Sequence, residues 1–445
     1  MDKQEILERV KADGVQYVSY QFSDVIGTVK SVDAPVHRLE EAINEGIWFD
    51  GSSVQGFVRI QESDMRLSID LDTYAVLPFS PTESKRARFF CEIFHPDGRP
   101  FDGDPRGTLK RKLASLREKG IIVNIGPEPE FFLFRKNGTD YVHPVPHDVG
   151  GYFDFSPNDE AVRVRTELMT ALTQMGLEVE VGHHECALAQ HEIDFRFDEA
   201  LKTADNVLTL KYTVKAIAAQ HGLVASFMPK PLYGENGSGM HCHQSLFNLE
   251  GKNLFYDDQD DFFLSEMAYQ YIAGQLKHAR GMSAVLSPTV NSYKRLVPGY
   301  EAPVYIGWAG VNRSALIRIP RIARGKENSA RIELRCPDPS GNPYLQFQAM
   351  IGAGLAGMDE KLSAPKGLNK IDIYNLSPDE RVNLGIQQLP GSLHEALDEL
   401  ENDQVVMDSL GESLASAFLH AKRTEWDEYR IFVTDWEKQR YLEKA

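Results

Sequence analysis

Three short segments of this chain alternate ionisable and apolar residues with the period of a β-strand. In Glu128-Pro129-Glu130-Phe131-Phe132-Leu133-Phe134, Met240-His241-Cys242-His243 and Arg331-Ile332-Glu333-Leu334-Arg335, titratable positions recur at every second residue. Residues i and i+2 of a strand share one face. Each segment therefore predicts a strand that aims Glu, His or Arg one way and its apolar side chains into a core. A fourth stretch, His183-His184-Glu185 through Gln190-His191-Glu192, adds two carboxylates beside strand-like sequence.

The remaining pattern is of mixed α+β type. A helical period covers Lys3–Asp13, and strand-like runs follow at Tyr17–Thr28, Ile47–Phe57 and Thr73–Leu77 with little further helical period. A small sheet-rich domain over 1–103 is expected, closed by the turn formers Pro96-Asp97-Gly98-Arg99-Pro100, with a second domain over 104–445. Asp104 and Pro105 open a helix as N-cap and first helical residue; Leu109, Leu113 and Leu116 share one face and Gly120 ends it. A strand at Ile121–Ile125 then runs into the first acidic motif. Ser156-Pro157, with Asp159 and Glu160 in the first turn and Gly176 beyond the end, predicts the next helix. Others are expected near Leu201–Gln220, Tyr344–Leu362, Leu393–Asn402 and Val405–Gly411, and over the charged end Ala415–Leu442. No internal repeat or low-complexity tract interrupts this order.

Bulk properties exclude several classes. A chain of 445 residues with 42% hydrophobic and 25% charged content is ordinary for a folded protein with more than one domain. A net charge of −17 argues against nonspecific nucleic-acid binding, which needs a basic footprint. No run approaches the ~20 apolar residues of a membrane span, and the N-terminus lacks the apolar centre of a signal peptide. Cys91, Cys186, Cys242 and Cys336 lie far apart without a C-x-x-C pair, so reduced thiols and a cytoplasmic location are expected.

The carboxylates carry the first chemical signal. Alone, Glu128 and Glu130 read equally well as a solvated strand edge, but their flanks are strongly apolar. Like charges forced together in such surroundings cost several kcal/mol unless a cation neutralises them. Glu185, Glu192 and Glu333 sit in similar contexts. Five carboxylates with His241 make an oxygen-rich set that favours Mg²⁺ or Mn²⁺ over zinc, and too many ligands for one ion. Two metal sites are expected. Between Lys294 and Arg335 lie nine basic residues against three acidic ones, a reversal in an acidic protein. A solvated basic face is the bland reading. Arg313, Arg318, Arg331 and Arg335 nevertheless interleave with apolar residues, and arginine suits bidentate binding of phosphate and carboxylate. Metal with an arginine clamp is the equipment of phosphoryl transfer. Gly234-Glu235-Asn236-Gly237-Ser238-Gly239 and Phe49-Asp50-Gly51-Ser52-Ser53 read by composition only as turns.

Taken in series, these motifs resemble a type I glutamine synthetase of the shorter bacterial and archaeal kind, over essentially the whole chain. Asn291-Ser292-Tyr293-Lys294-Arg295-Leu296-Val297-Pro298-Gly299-Tyr300-Glu301-Ala302-Pro303 is the most specific block; Asn312-Arg313-Ser314 also fits. The resemblance implies an N-terminal β-grasp domain and a catalytic domain with a curved antiparallel sheet. It also implies two stacked hexameric rings whose active sites lie between neighbouring subunits. Glutamate, ammonium and ATP are the implied substrates, joined through γ-glutamyl phosphate. By the same resemblance Glu130, Glu185 and Glu192 hold one metal, and Glu128, His241 and Glu333 the other. Glu180, His243, Ser245, Arg318 and Arg331 match nucleotide or phosphoryl contacts. Ser53, Asn236, Gly237, Arg295, Glu301, Arg313 and Arg335 match substrate contacts. Asp50 matches the residue that takes the ammonium proton, and Glu301 one that completes the cation pocket on a flap.

Departures from the enterobacterial pattern refine this expectation. An insertion between the first two acidic motifs is absent, and Asn328 stands at an aligned lysine position. Tyr374 aligns with a tyrosine adenylylated in those relatives, but in different surroundings, so no modification is expected. Arg59 instead resembles an arginine linked to glutamine feedback, and a nitrogen-regulatory protein is a candidate partner. Two rival readings share the scaffold: a ligase joining glutamate to a polyamine, and a non-catalytic homologue. Asp50, Ser53 and Glu301 favour ammonia over a larger amine.

Overall fold

The computed structural model describes residues 1–52, 54, 64–138, 143–155, 160–310, 315–369, 371 and 373–444. The expected site residues Ser53, Arg59 and Arg313 lie outside them, as do Ser156, Pro157 and Asp159.

The first sheet contains β1 (Tyr17–Ser23), β2 (Val29–Pro35), β3 (Ile47–Asp50), β4 (Asp64–Ile69), β5 (Ala75–Val76) and β6 (Arg86–Phe94). Their order is β2-β1-β6-β4-β3, with β5 on β6, so β3 is an edge strand. The expected strand Tyr17–Thr28 stops at Ser23 because Asp24 accepts from the Thr28 amide at 2.8 Å and Gly27 takes φ +86°, turning the chain back into β2. Helices α1 (Lys3–Ala12) and α2 (Leu39–Glu45) bury Ile6, Val10, Leu39 and Ala42 in a small core with Val18, Tyr20, Leu67 and Phe89. Phe90, one residue on from Phe89, points to the other face and joins the main core.

The second sheet is built around a long central strand, β7 (Ile122–Arg135). With β8 (Val145–Pro146), β9 (Val179–His184), β10 (Gln190–Phe195), β11 (Asp198–Glu199), β12 (Leu223–Ser226), β13 (Met240–Phe247), β14 (Tyr305–Ala309), β15 (Ala315–Arg318) and β16 (Ile332–Leu334) it forms the path β14-β15-β16-β13-β7-β10-β9. Only the β14–β15 pair is parallel; β8, β11 and β12 also pair with β7. The helices packed around it are α3 (Pro105–Glu118), α4 (Glu160–Gln174), α5 (Ala200–Gln220), α6 (Glu266–Lys277), α7 (Ala279–Leu286) and α8 (Ser292–Arg295). They continue with α9 (Pro343–Asp359), α10 (Pro378–Asn383), α11 (Leu393–Glu401), α12 (Gln404–Leu410), α13 (Glu412–Arg430) and α14 (Asp435–Tyr441). None among the described residues is long and apolar enough to cross a membrane.

Further elements differ from expectation, among them β3, which ends at Asp50 within the expected run Ile47–Phe57. The single C-terminal helix divides at Ile431-Phe432-Val433, where Thr434 and Glu437 form a capping box that starts α14 afresh. The patterning assigns no element to 265–295, yet Ser265 caps α6 by accepting from the Ala268 amide, and α7 and α8 follow. The run Thr73–Leu77 holds only the two-residue β5. The two sheets are pinned together at Arg106, which is 1% exposed and contacts Asp205 at 2.8 Å and Asp70 at 2.9 Å.

Candidate active site

Cross-strand register gathers the ionisable residues on one face of the second sheet. Arg318 on β15 stands opposite Glu333 on β16, and Glu333 opposite His243 on β13. His241 is opposite Glu128 on β7, and Glu130 is opposite Glu192 on β10, which faces His183 on β9. Directly opposed residues of an antiparallel pair share a face. The two-residue period within each strand then places them all above one floor.

All of them except His243 line a cleft of about 290 Å³ together with Glu185, Gln190, Asp194, Asn236, Gly237, Arg295, Tyr300, Glu301 and Arg335. The convergence expected from the four motifs is therefore present. Two sets of ligating atoms lie close enough to share an ion: Glu128, His241 and Glu333; and His183, Glu185 and Glu192. His241 Nδ1 lies 3.4 Å from Glu128 and 3.7 Å from Glu333, while His183 lies 3.4 Å from Glu185 and 3.7 Å from Glu192. Glu130, expected in the second set, adjoins it and accepts from the Gln190 side-chain amide at 2.7 Å and from the Gly239 amide at 3.1 Å.

The electrostatics are those of a site completed by cations. Burial, and then the Glu185 charge, push the Glu130 carboxyl up to about 8. Burial, and then Glu130, raise Glu192 far above the carboxylate range, and burial with the Glu128 charge lifts Asp194 to about 7. Glu128 goes the other way: burial pushes it up, but hydrogen bonds from His241 and His243 outweigh this and hold it well below the usual range. Crowded carboxylates of this kind fit divalent metal, whose charge removes the repulsion.

A second hollow of about 300 Å³ opens beyond Glu128 and Asp194, which line both cavities. Glu180, His243, Ser245 and Arg331 line it, with Asn124, Phe197, Asn328 and Ser329. Arg331 donates to His243 Nδ1 at 3.2 Å, which leaves the ring proton on Nε2 to face Glu128 at 2.7 Å. Arg318, expected at the nucleotide, lines the carboxylate cleft and bonds Glu333 at 2.5 Å.

The substrate side is formed by loops. Gly237 lets the backbone pass close to Pro229, since a Cβ there would lie 2.2 Å from the Pro229 carbonyl oxygen. Glu301 takes φ +56° on its loop, a conformation uncommon for a residue with a side chain. The thiol of Cys186 lies 3.9 Å from the Glu301 carboxylate. Burial and the Glu185 charge push that thiol up to about 12. Asp50 ends β3, exposed and accepting from the Ser52 amide at 2.8 Å; it does not line its own chain's cleft. Sequence reasoning missed His183, Gln190, Asp194, Tyr152 and Tyr300. Gln190 and Asp194 share the two-residue period of Glu192 and were readable; the two tyrosines sit on loops that no period marks.

Comparison with known proteins covers both parts of the chain. A profile described as "Glutamine synthetase, beta-Grasp domain" matches residues 14–96, and "Glutamine synthetase, catalytic domain" matches 102–441. The glutamine synthetase of Halobacterium salinarum is 52% identical over 440 residues, covering 99% of this chain and 96% of the relative. That of Thermus thermophilus is 48% identical, covering 99% and 98%. Among solved structures, one described as a GmaS/ADP complex superposes with a TM-score of 0.88 at 32% identity, covering 98% of this chain and 99% of the other. Plasmodium falciparum glutamine synthetase gives 0.87 at 27% identity, covering 99% of both.

Proposed function

We infer the working site from one premise: the chain belongs to the glutamine synthetase family and is a glutamate–ammonia ligase, joining L-glutamate and ammonia into L-glutamine with use of ATP and divalent metal. In this reading 1–103 is the N-terminal domain and 104–445 the catalytic domain. Two Mg²⁺ or Mn²⁺ ions are held per subunit, one by Glu130, Glu185 and Glu192 beside His183, the other by Glu128, His241 and Glu333. Bound there, they supply the positive charge that phosphoryl oxygens require.

The chain's own residues do the rest. ATP occupies the second hollow, against Glu180, His243, Ser245 and Arg331, so that its terminal phosphate enters the cleft where the two cavities meet at Glu128. The structure described as a GmaS/ADP complex, at the same fold, supports a nucleotide there. Glutamate lies against Asn236, Gly237, Arg295 and Arg335, with Ser53 and Arg313 contributing from segments outside the described residues. A carboxylate resists attack by ammonia, so phosphorylation of the γ-carboxylate to γ-glutamyl phosphate precedes amide formation. Arg313, Arg318 and Arg331 stabilise charge on the moving phosphoryl group. Ammonium loses its proton to Asp50 of a neighbouring subunit, and Glu301 completes the cation pocket and screens the acyl phosphate from water. Two stacked hexameric rings, a cytoplasmic location, product inhibition through Arg59 and contact with a nitrogen-regulatory protein belong to the same reading.

The convergence of the two ligand sets on one sheet face, next to a second hollow sharing Glu128, carries this assignment. Titrating the purified protein with Mn²⁺, read by the electron paramagnetic signal of the free ion, is expected to give two ions per chain. Glu128→Gln is expected to remove one class, Glu192→Gln the other, and both to abolish glutamine formation. Either variant retaining both ions at the parent affinity overturns the assignment.

A further inference from the structure

We propose that Asp148 is a positioning residue for the β9–β10 hairpin, bracing Glu185 and Glu192 from the face of the sheet opposite the cleft; this rests on those two carboxylates being metal ligands. Strand alternation sets up the arrangement. His183 and Glu192 face the cleft, so His184 and His191, one residue away on the same strands, face the other side. There they meet Asp148, in the segment following β8. His184 and His191 are 2% and 0% exposed, and His147 is 6% exposed.

The Asp148 carboxylate is the hub. It accepts from the Ala189 amide at 2.9 Å, and from His184 Nε2 at 3.1 Å. His147 Nε2 lies 3.1 Å from the same oxygen, Oδ2, without donating to it, since it accepts from His191. The Ala189 contact matters because Ala189 takes φ +59° in the turn between the two ligand-bearing strands. An alanine is held in the left-handed region only where surrounding bonds determine it. His184 donates from both ring nitrogens, through Nε2 to Asp148 and through Nδ1 to the Glu185 carbonyl at 2.7 Å. One carboxylate thus holds the hairpin turn directly and the backbone of Glu185 through a single imidazole.

His147, Asp148 and His191 also lie close enough to share a metal ion, but hydrogen placement argues against one. Arg165 Nη1 lies 2.8 Å from His191 Nδ1, and a guanidinium can only donate. The His191 proton is therefore on Nε2, directed at His147 Nε2 at 2.8 Å. The space a metal would need is taken by a proton. The cluster is a hydrogen-bonded brace, and its effect falls on the neighbouring carboxylates.

Residues that orient metal ligands typically change metal affinity by 10- to 100-fold when removed. Mn²⁺ titration of the full-length protein without substrates, using free-ion resonance, reads this directly. Asp148→Ala is expected to weaken one class of ion about 10- to 100-fold and leave the other unchanged, with mass and circular dichroism as in the parent. Its activity is expected to recover at saturating Mn²⁺, a change in metal requirement without loss of kcat. Asp148→Asn, which keeps an acceptor for the Ala189 amide, is expected to fall between and serves as the readout if the alanine variant does not fold. Parent affinity in both classes, or equal weakening of both, overturns the proposal. Glu192→Gln measured in parallel separates the two readings: if it leaves Mn²⁺ binding intact, the ligand assignment has failed and not the brace.

Discussion

At the scale of single residues, Glu333 shows how little freedom the site leaves. It is 1% exposed, accepts from Arg318 at 2.5 Å, and lies 3.2 Å from Arg335 and 3.7 Å from His241. Truncation would leave two guanidiniums and an imidazole facing one another in a buried space. Removing one member of a buried ionic group costs about 3–5 kcal/mol, and the part exposure of Arg318 places the effect near the lower end. Glu333→Ala in metal-free buffer is therefore expected to lose about 3 kcal/mol of stability, and Glu333→Gln, which still accepts one hydrogen bond, clearly less. Urea unfolding midpoints of the three proteins check this; equal midpoints for both variants would refute it. Glu333 was legible because the period of two fixes which residues of a strand travel together. His183 follows the same rule, standing two residues before Glu185, and the pairing of β9 with β10 sets it opposite Glu192. Gly237 was legible as a turn residue, but its need to pass the Pro229 carbonyl depends on how the loop folds back against the segment just before it.

At the scale of elements, helix caps were the most readable signals and long-range burial the least. Asp104 with Pro105 acts locally, through a bond from the Arg106 amide to the Asp104 carboxylate within the same turn. The environment of Lys112 was not readable, because it depends on three helices brought together by the fold. Lys112 lies on α3 with its ammonium 3.4 Å from the carbonyl oxygens of Gln348 on α9 and Ser409 on α12. Burial depresses its pKa to about 8. The unfolded chain, near 10.5, thus binds more protons than the fold between those values. Stability should rise with pH across that window, and the whole penalty should be present below it. Lys112→Met is accordingly expected to stabilise the protein at pH 7, by an amount on the order of 2–3 kcal/mol. That advantage should shrink as pH approaches 10.5. Thermal unfolding of parent and variant at pH 7 and pH 10 tests this; a constant difference would show that the ammonium is not the cause.

At the scale of the whole molecule, the place of Asp50 decides how the site is completed. It ends β3, the edge strand of the first sheet, and is exposed. The first sheet cannot easily swing it inward, because Arg106 is tied to Asp70 beside β4 and to Asp205 on α5, and Tyr344 bonds Asp205 at 2.5 Å. Arg88 on β6 adds a bond to Thr209 on α5 at 3.1 Å. An Asp50 fixed away from its own cleft can serve catalysis only in another subunit's, which is how the proposed ring assembly uses it. Mixing two inactive chains tests the point. Asp50→Ala keeps the metal ligands, and Glu192→Gln keeps Asp50; each alone should form no glutamine. In a randomly mixed heading-to-tail ring, a working site needs an Asp50→Ala chain for its cleft beside a Glu192→Gln chain that supplies the aspartate. With equal amounts this occurs at about a quarter of sites. Dissociating, mixing and reassembling the two variants is therefore expected to restore activity to about a quarter of the parent value. Assembled mixtures as inactive as their components would mean that each cleft draws on its own chain's Asp50, or on none.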